Sequence, residues 1–255
     1  MIKSKRNKKK RGAKLIKILV IVLLIAGATI FALVSPIFGI EIISVQGNEK
    51  ISTEEIINLS NLKIGDNIFR NVNRETTNNI KQEPYIGDVK IKRKLPGTVE
   101  ITVIEREIAY QIKVIDSYIY IDEEGYILEK SEVAQKVPIL EGIKTKQEDL
   151  INGTRLCKED IQHLNTTLKI VTNAKKIEIY DLITKIIIQD NEYILYLQGE
   201  EKYAYLGNGS DITNKMLYIK AILSQEKNKN GKIFVNGDIN DGFKPFFREE
   251  KIWKE

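Results

Sequence analysis

The chain holds a single histidine, His163, and a single cysteine, Cys157, and any nucleophilic, general-base or thiolate chemistry would have to be assembled around them. Either residue needs a partner: a base beside a nucleophile, a cation beside a thiol, or further ligands around a metal. His163 lies next to the apolar face of a helical stretch, with no Ser, Cys or second His at a motif spacing, and reads as a boundary histidine. Cys157 has no basic run near it to stabilise a thiolate and reads as a small filler.

Other groupings fall short in similar ways. Gly207-Asn208-Gly209-Ser210 precedes a helix, but it lacks the third glycine and the Lys-Ser/Thr of a phosphate loop. Its glycines turn the chain, and Ser210 or Asp211 is expected to cap the helix. Asp122-Glu123-Glu124-Gly125 lacks the alternating oxygen ligands of a calcium loop and reads as a solvated hairpin turn. The carboxylate pairs Glu159-Asp160, Glu200-Glu201 and Glu249-Glu250 are sequence neighbours whose side chains diverge, whereas glycoside chemistry needs two carboxylates facing one bond. No catalytic residue, metal ligand or cofactor is therefore assigned, and the function is sought in the elements.

Charge divides the chain. Nine of its forty Lys and Arg precede Glu41, the first acidic residue, leaving thirty-one basic against thirty-five acidic groups, net −4, in the remainder. A basic pI then says little about the folded part, and a nucleic-acid partner loses its electrostatic footing. Leu15 to Val34 is about twenty residues with one charge, Lys17, near its start, the length of a bilayer's hydrocarbon core. Ala26-Gly27-Ala28 offers a small-x-small cleavage site, but the apolar run is too long for a signal h-region, so an uncleaved anchor is expected. Eight Lys or Arg before Leu15 place that end in the cytoplasm and the C-terminal region outside the membrane. With one cysteine, the exported part has no internal disulfide to hold it.

Past the span, Ile40 to Val45 reads as a short strand ended by the turn residues Gly47-Asn48. Ser52 as N-cap, Glu55 three residues on, and Ile51 with Ile56 as a staple predict a helix. The spacing Val72, Thr76, Ile80 predicts a second helix, stopped by Pro84. Val89 and Ile91 alternate with Lys90 and Lys92, and Val99, Ile101 and Val103 with Glu100 and Thr102. Joined through Leu95-Pro96-Gly97, they predict a hairpin with Lys opposite Glu on its outer face. From Ala109 the pattern is β-rich, with strands expected over 118–121, 126–128, 176–180, 185–189, 193–198 and 232–236. Helices over 158–171 and 211–225 interrupt them, and an aromatic tail holds Phe243, Phe246, Phe247 and Trp253.

The stretches IISVQGNEKISTEEI at 42–56, GDNIFRNV at 65–72 and EPYIGDVKIKRKLPGTVEITVIERE at 83–107 resemble the FtsQ/DivIB family of bacterial cell-division proteins. The matching positions include Gly47, Asn48, Pro84, Arg93, Leu95, Pro96, Gly97 and Glu105. YIYIDEEGYIL, VPIL and the helix before the final strand are similar too, while Phe234-Val235-Asn236-Gly237 departs from the Asp-Leu-Arg-like strand the family would place there.

The resemblance implies a single-pass membrane protein with an α+β exported region: a POTRA domain of strand-helix-helix-strand-strand order, followed by a mixed, β-rich domain with two helices. The expected boundaries are a basic tail at 1–14, a span at 15–34, the POTRA domain at 35–108, the β domain at 109–240 and a C-terminal tail at 241–255. It further implies a scaffold at the division septum that is not an enzyme and needs no cofactor. Its partners would be FtsL, DivIC/FtsB-type proteins and the septal peptidoglycan synthase, with no nucleic acid or small-molecule substrate. The last β-domain strand is the implied docking edge. Tyr203, Tyr205, Ile233, Phe234 and Val235, aromatic or β-branched groups suited to an interface centre, are candidate partner-binding residues or else core of the β domain, since periodicity does not say which face is wet, and the outer hairpin strand is a second candidate edge. Two rival functions remain at this point: a POTRA module acting as a chaperone in protein export, and a membrane-anchored cell-wall enzyme.

Overall fold

A computed structural model describes residues 3–199, 201–238 and 241–250. The chain forms two compact units, Met1–Glu105 and Arg106–Glu255. The first opens with α1 (Lys3–Val34), whose segment Lys14–Val34 spans 21 residues at a mean hydropathy of 2.7. It is long and apolar enough to cross a membrane, at about 1.5 Å of rise per residue against a hydrocarbon core of roughly 30 Å.

After a 3-10 turn at Pro36–Phe38 come β1 (Ile42–Gln46), α2 (Thr53–Ser60), α3 (Arg74–Ile80), β2 (Ile86–Lys94) and β3 (Thr98–Glu105). This is the strand-helix-helix-strand-strand order that the resemblance implied. Ser52 Oγ accepts from Glu55 N at 3.1 Å, and both staple residues, Ile51 and Ile56, are buried. Asn73 supplies a cap that the apolar spacing does not reveal, accepting from the backbone N–H groups of Glu75 and Thr76. The sheet order is β1-β3-β2, so the second strand of the hairpin is central and runs parallel to β1, the two helices lying on the connection between them. Lys92 stands opposite Glu100 as expected, although the ion pair, at 2.9 Å, is made by Lys94. One face of β3 supplies Val99, Ile101 and Val103 to the core.

Among the described residues, the second unit holds a nine-stranded mixed sheet built from β4 (Tyr110–Val114), β5 (Ser117–Ile121), β6 (Ile127–Ser131), β7 (Ile139–Glu141), β8 (Ile183–Gln189), β9 (Glu192–Leu197), β10 (Lys202–Gly207), β11 (Gly231–Phe234) and β12 (Phe246–Glu249). Its order is β12-β11-β10-β9-β8-β7-β4-β5-β6. The helices α4 (Lys158–Lys176) and α5 (Ile212–Gln225) place Leu164, Ile170, Met216 and Ile219 in one core with Ile186, Leu195, Ala204 and Ile233 from the strands.

Several expectations are corrected. The strand over 176–180 does not form: Ile170, Val171 and Ala174 continue the apolar face of α4, which runs to Lys176 and is followed by a 3-10 turn at Tyr180–Leu182. Ser210 and Asp211 make no side-chain cap on α5; Asp211 occupies the cap position, but its carboxylate takes Asn214 Nδ2 at 2.9 and 3.0 Å. Asp122 is not a solvated turn residue. It is buried, accepts from the N–H of Glu124 and of Tyr126, and pairs with Arg106. The stretch set apart as a tail from residue 241 contributes β12 to the sheet, while Trp253 lies outside the described residues.

Candidate partner-binding surface

The docking candidates sit on β10, β11 and the residue after it, and strand alternation sorts them. Side chains on one strand point to opposite faces in turn, so with helices on one side only half of them can be buried. Ile233 and Val235 are fully buried on the helix side and cannot reach a partner in the folded protein. Tyr203 is 37% exposed, and Tyr205 and Phe234 are half-buried, on the opposite face.

Register then joins these residues to others. Tyr205 pairs with Phe234 and Phe234 with Phe246, so three rings stand side by side across β10, β11 and β12. Their centroids are 5.0 and 4.8 Å apart, at interplanar angles of 10° and 18°. Tyr203 faces Tyr196 on β9 at 4.9 Å. The Arg248 guanidinium lies 5.2 Å from the Phe234 ring and 5.9 Å from that of Phe246. Aromatic rings and arginine are the groups enriched at the centres of protein interfaces. Tyr196, Phe246 and Arg248 were missed by sequence because only strand register brings them beside Phe234.

The strip borders an open groove of 680 Å³ lined by Thr184, Lys185, Tyr196, Gln198, Glu201 and Asn230, among others. Lys185 forms a 2.6 Å bridge with Glu141 at its edge, and that hydrogen bond raises its pKa. The pair is about two-fifths exposed and reads as a surface bridge.

β11 is not an edge, which corrects the expectation attached to 232–236. β12 covers it, and among the described residues β12 itself is the outermost strand at that end of the sheet. An outer strand presents unpaired backbone N–H and C=O groups to an incoming strand.

The positions that carry the resemblance in the first unit hold its loops together. Glu105 accepts from the backbone N–H of Lys50 and of Ile51, at 2.7 and 2.9 Å. Arg93 donates from Nε to the Ile68 carbonyl at 3.0 Å and from Nη2 to that of Val72. Gly97 accepts from Glu41 N at 2.7 Å, and a Cβ there would lie 2.5 Å from the Gly39 carbonyl oxygen. Gly47 has φ +83° and would bring a Cβ to 2.2 Å from the Val103 carbonyl. Asn48 donates to Ile51 O at 2.9 Å, while Leu95 and Pro96 are exposed at the hairpin turn and Pro84 precedes the buried Tyr85.

His163 Nδ1 lies 2.8 Å from the Tyr193 hydroxyl, with the rings edge to face. Cys157 precedes α4 with its sulfur 3.3 Å from Asp160 Oδ2. Among the described residues, no three His, Cys, Asp or Glu side chains gather as metal ligands would.

The family model for the FtsQ-type POTRA domain matches residues 38–106. The chain is 33% identical over 194 residues to the cell division protein DivIB of Clostridium acetobutylicum, covering 75% of this chain and 76% of the relative. It is 25% identical over 254 residues to DivIB of Bacillus subtilis strain 168, covering 98% and 90%. The solved major extracytoplasmic domain of the trans isomer of DivIB from Geobacillus stearothermophilus overlies 48% of this chain and 94% of its own, at 14% identity and a TM-score of 0.31.

Proposed function

The chain belongs to the FtsQ/DivIB family of cell-division proteins, and from that premise we propose that it is a non-enzymatic scaffold of the division site. It is anchored by Lys14–Val34 with its basic end in the cytoplasm and the elements from β1 onward outside the membrane. There it binds single-pass division proteins of the FtsL and DivIC/FtsB type, and through them helps to hold and regulate septal peptidoglycan synthesis.

The observation that carries this reading is the conjunction of an outermost strand, β12, with the ring strip Tyr205-Phe234-Phe246 beside it. A strand added to β12 gains main-chain hydrogen bonds for affinity, and its alternate side chains meet Phe246 and Arg248 for selectivity. The strip gives such a contact an apolar centre and the neighbouring ion pair Lys232–Glu250, at 3.0 Å, a polar rim.

The experiment is co-reconstitution of the full chain with FtsL and DivIC in lipid nanodiscs, scored by co-purification. Wild type should capture the pair, and a folded Phe246→Asp chain should not. Capture undiminished by both Phe246→Asp and Phe234→Asp would remove the docking role from this strip, and no capture by wild type would remove the partners.

A further inference from the structure

Where α1 ends, the first unit does not hang from a free linker. Asn67 Nδ2 donates to the Ala32 carbonyl at 3.0 Å, while Ser35 N closes the helical pattern on Phe31 O at 2.9 Å. The Ala32 carbonyl belongs to the last helical turn, where acceptors lack partners within the helix and unsatisfied ones are costly near hydrocarbon. Ala32 is two residues, about 3 Å of helical rise, before Val34. The loop around Asn67 therefore lies at the depth of the end of the apolar segment.

Further bonds fasten the same end. Ile68 N donates to Phe38 O at 2.9 Å and Ile40 N to Asp66 O at 2.7 Å. Rings continue the tie, with Phe31 edge-on to Phe38 at 6.4 Å and Phe38 edge-on to Phe69 at 5.1 Å. The hairpin turn joins through Gly97, whose carbonyl accepts from Glu41 N and Ile42 N.

At this end Ile37, Ile64 and Leu95 are 61%, 66% and 58% exposed, although the core immediately beneath holds Ile40 and Ile68 fully buried. Lys63 and Arg70 are exposed on the same loop as Ile64. The intervening Asp66 turns its carboxylate back on the loop, accepting from Lys63 N at 3.0 Å. Apolar tips flanked by cations, at the depth where an apolar helix ends, match the layering of a bilayer interface.

We propose that this end of the POTRA domain is a phospholipid-binding surface. Ile37, Ile64 and Leu95 enter the interfacial layer of the bilayer that α1 crosses, while Lys63 and Arg70 pair with headgroup phosphates. The inference rests on the reading of α1 as a membrane anchor and deepens it: the domain is seated on the membrane, which limits its tilt.

The test is nitroxide accessibility in the full chain, with Cys157→Ser and one introduced cysteine, in vesicles of phosphatidylcholine and phosphatidylglycerol. Labels at Ile37→Cys, Ile64→Cys and Leu95→Cys should shift their oxygen-over-nickel accessibility ratio toward that of Leu24→Cys within α1. A label at Glu54→Cys, on exposed α2 surface, supplies the aqueous reference. Aqueous ratios at 37, 64 and 95 beside a lipid-like ratio at 24 would overturn the seating and leave the anchor standing. An aqueous ratio at 24 would overturn both. Adding Lys63→Glu with Arg70→Glu should lower the ratio at 64, and an unchanged value would overturn the phosphate pairing.

Discussion

Glu105, the last residue of β3, accepts from the backbone N–H of Ile51 at 2.9 Å, across 54 residues of chain, while its second oxygen takes Lys50 N at 2.7 Å. The carboxylate thereby fixes the loop that leads into α2 against the end of the central strand. An amide has one accepting oxygen where the carboxylate has two, so Glu105→Gln should lower the stability of the first unit by about 1 kcal/mol and Glu105→Ala by about 2 kcal/mol. Urea unfolding followed by circular dichroism checks this, and equal stability of all three chains would deny Glu105 that role.

Arg106 and Asp122 pair in the second unit with side chains only 15% and 5% exposed, and the guanidinium lies 3.7 Å from the Tyr126 ring centroid. Asp122 Oδ1 is already committed to the N–H of Tyr126 at 2.7 Å. Removing its charge leaves a largely buried cation with only the exposed Glu124, at 3.4 Å, so Asp122→Asn should cost about 2 kcal/mol. A double-mutant cycle with Arg106→Met measures the coupling, and a value near zero would contradict the assignment.

Asp160 supplies the pH dependence. Burial works to raise its pKa, but hydrogen bonds from the Thr145 hydroxyl and from the N–H of Lys144 and Thr145 outweigh burial and hold the carboxyl below its ordinary value of 3.8. The unfolded chain then binds the proton more tightly than the folded one. The stabilisation is complete above the unfolded pKa and is lost as pH falls through the lower folded value. Asp160→Asn should be less stable than wild type at neutral pH by about 1 to 3 kcal/mol, with the gap narrowing below about pH 4. A gap that stays constant between pH 3 and pH 7 would show that the carboxylate's charge is not involved.

Ile233 and Phe246 separate folding from binding. Ile233 is fully buried and Phe246 is 41% exposed on the opposite face. Ile233→Asp places a charge in the core and should destabilise the second unit by about 4 kcal/mol or more, whereas Phe246→Asp should cost about 1 kcal/mol and abolish partner capture. Thermal melts beside co-purification distinguish the two, and a stable Ile233→Asp chain would contradict the sheet's facing.

Much of this protein was legible in its sequence because the signals were local. The apolar length of α1, the Ser52 cap and the alternation of Val99, Ile101 and Val103 each depend on neighbours a few positions away, and each stands in the structure where the sequence puts it. Long-range pairing has no such signal. Alternation implies that Ile233 and Phe234 face opposite ways, but cannot say which face the helices cover. Nor could it show that a stretch read as a tail would close over β11 and displace it from the edge.

By itself the sequence determined the membrane-length helix, the order of the first domain's elements, the two later helices and the family. Tertiary structure decided which strand is outermost, which candidates are core, and that Asp122 is buried against Arg106. The reason is physical. Periodicity and capping are set within a few residues of chain, whereas sheet order, register and burial follow from which distant surfaces exclude water together.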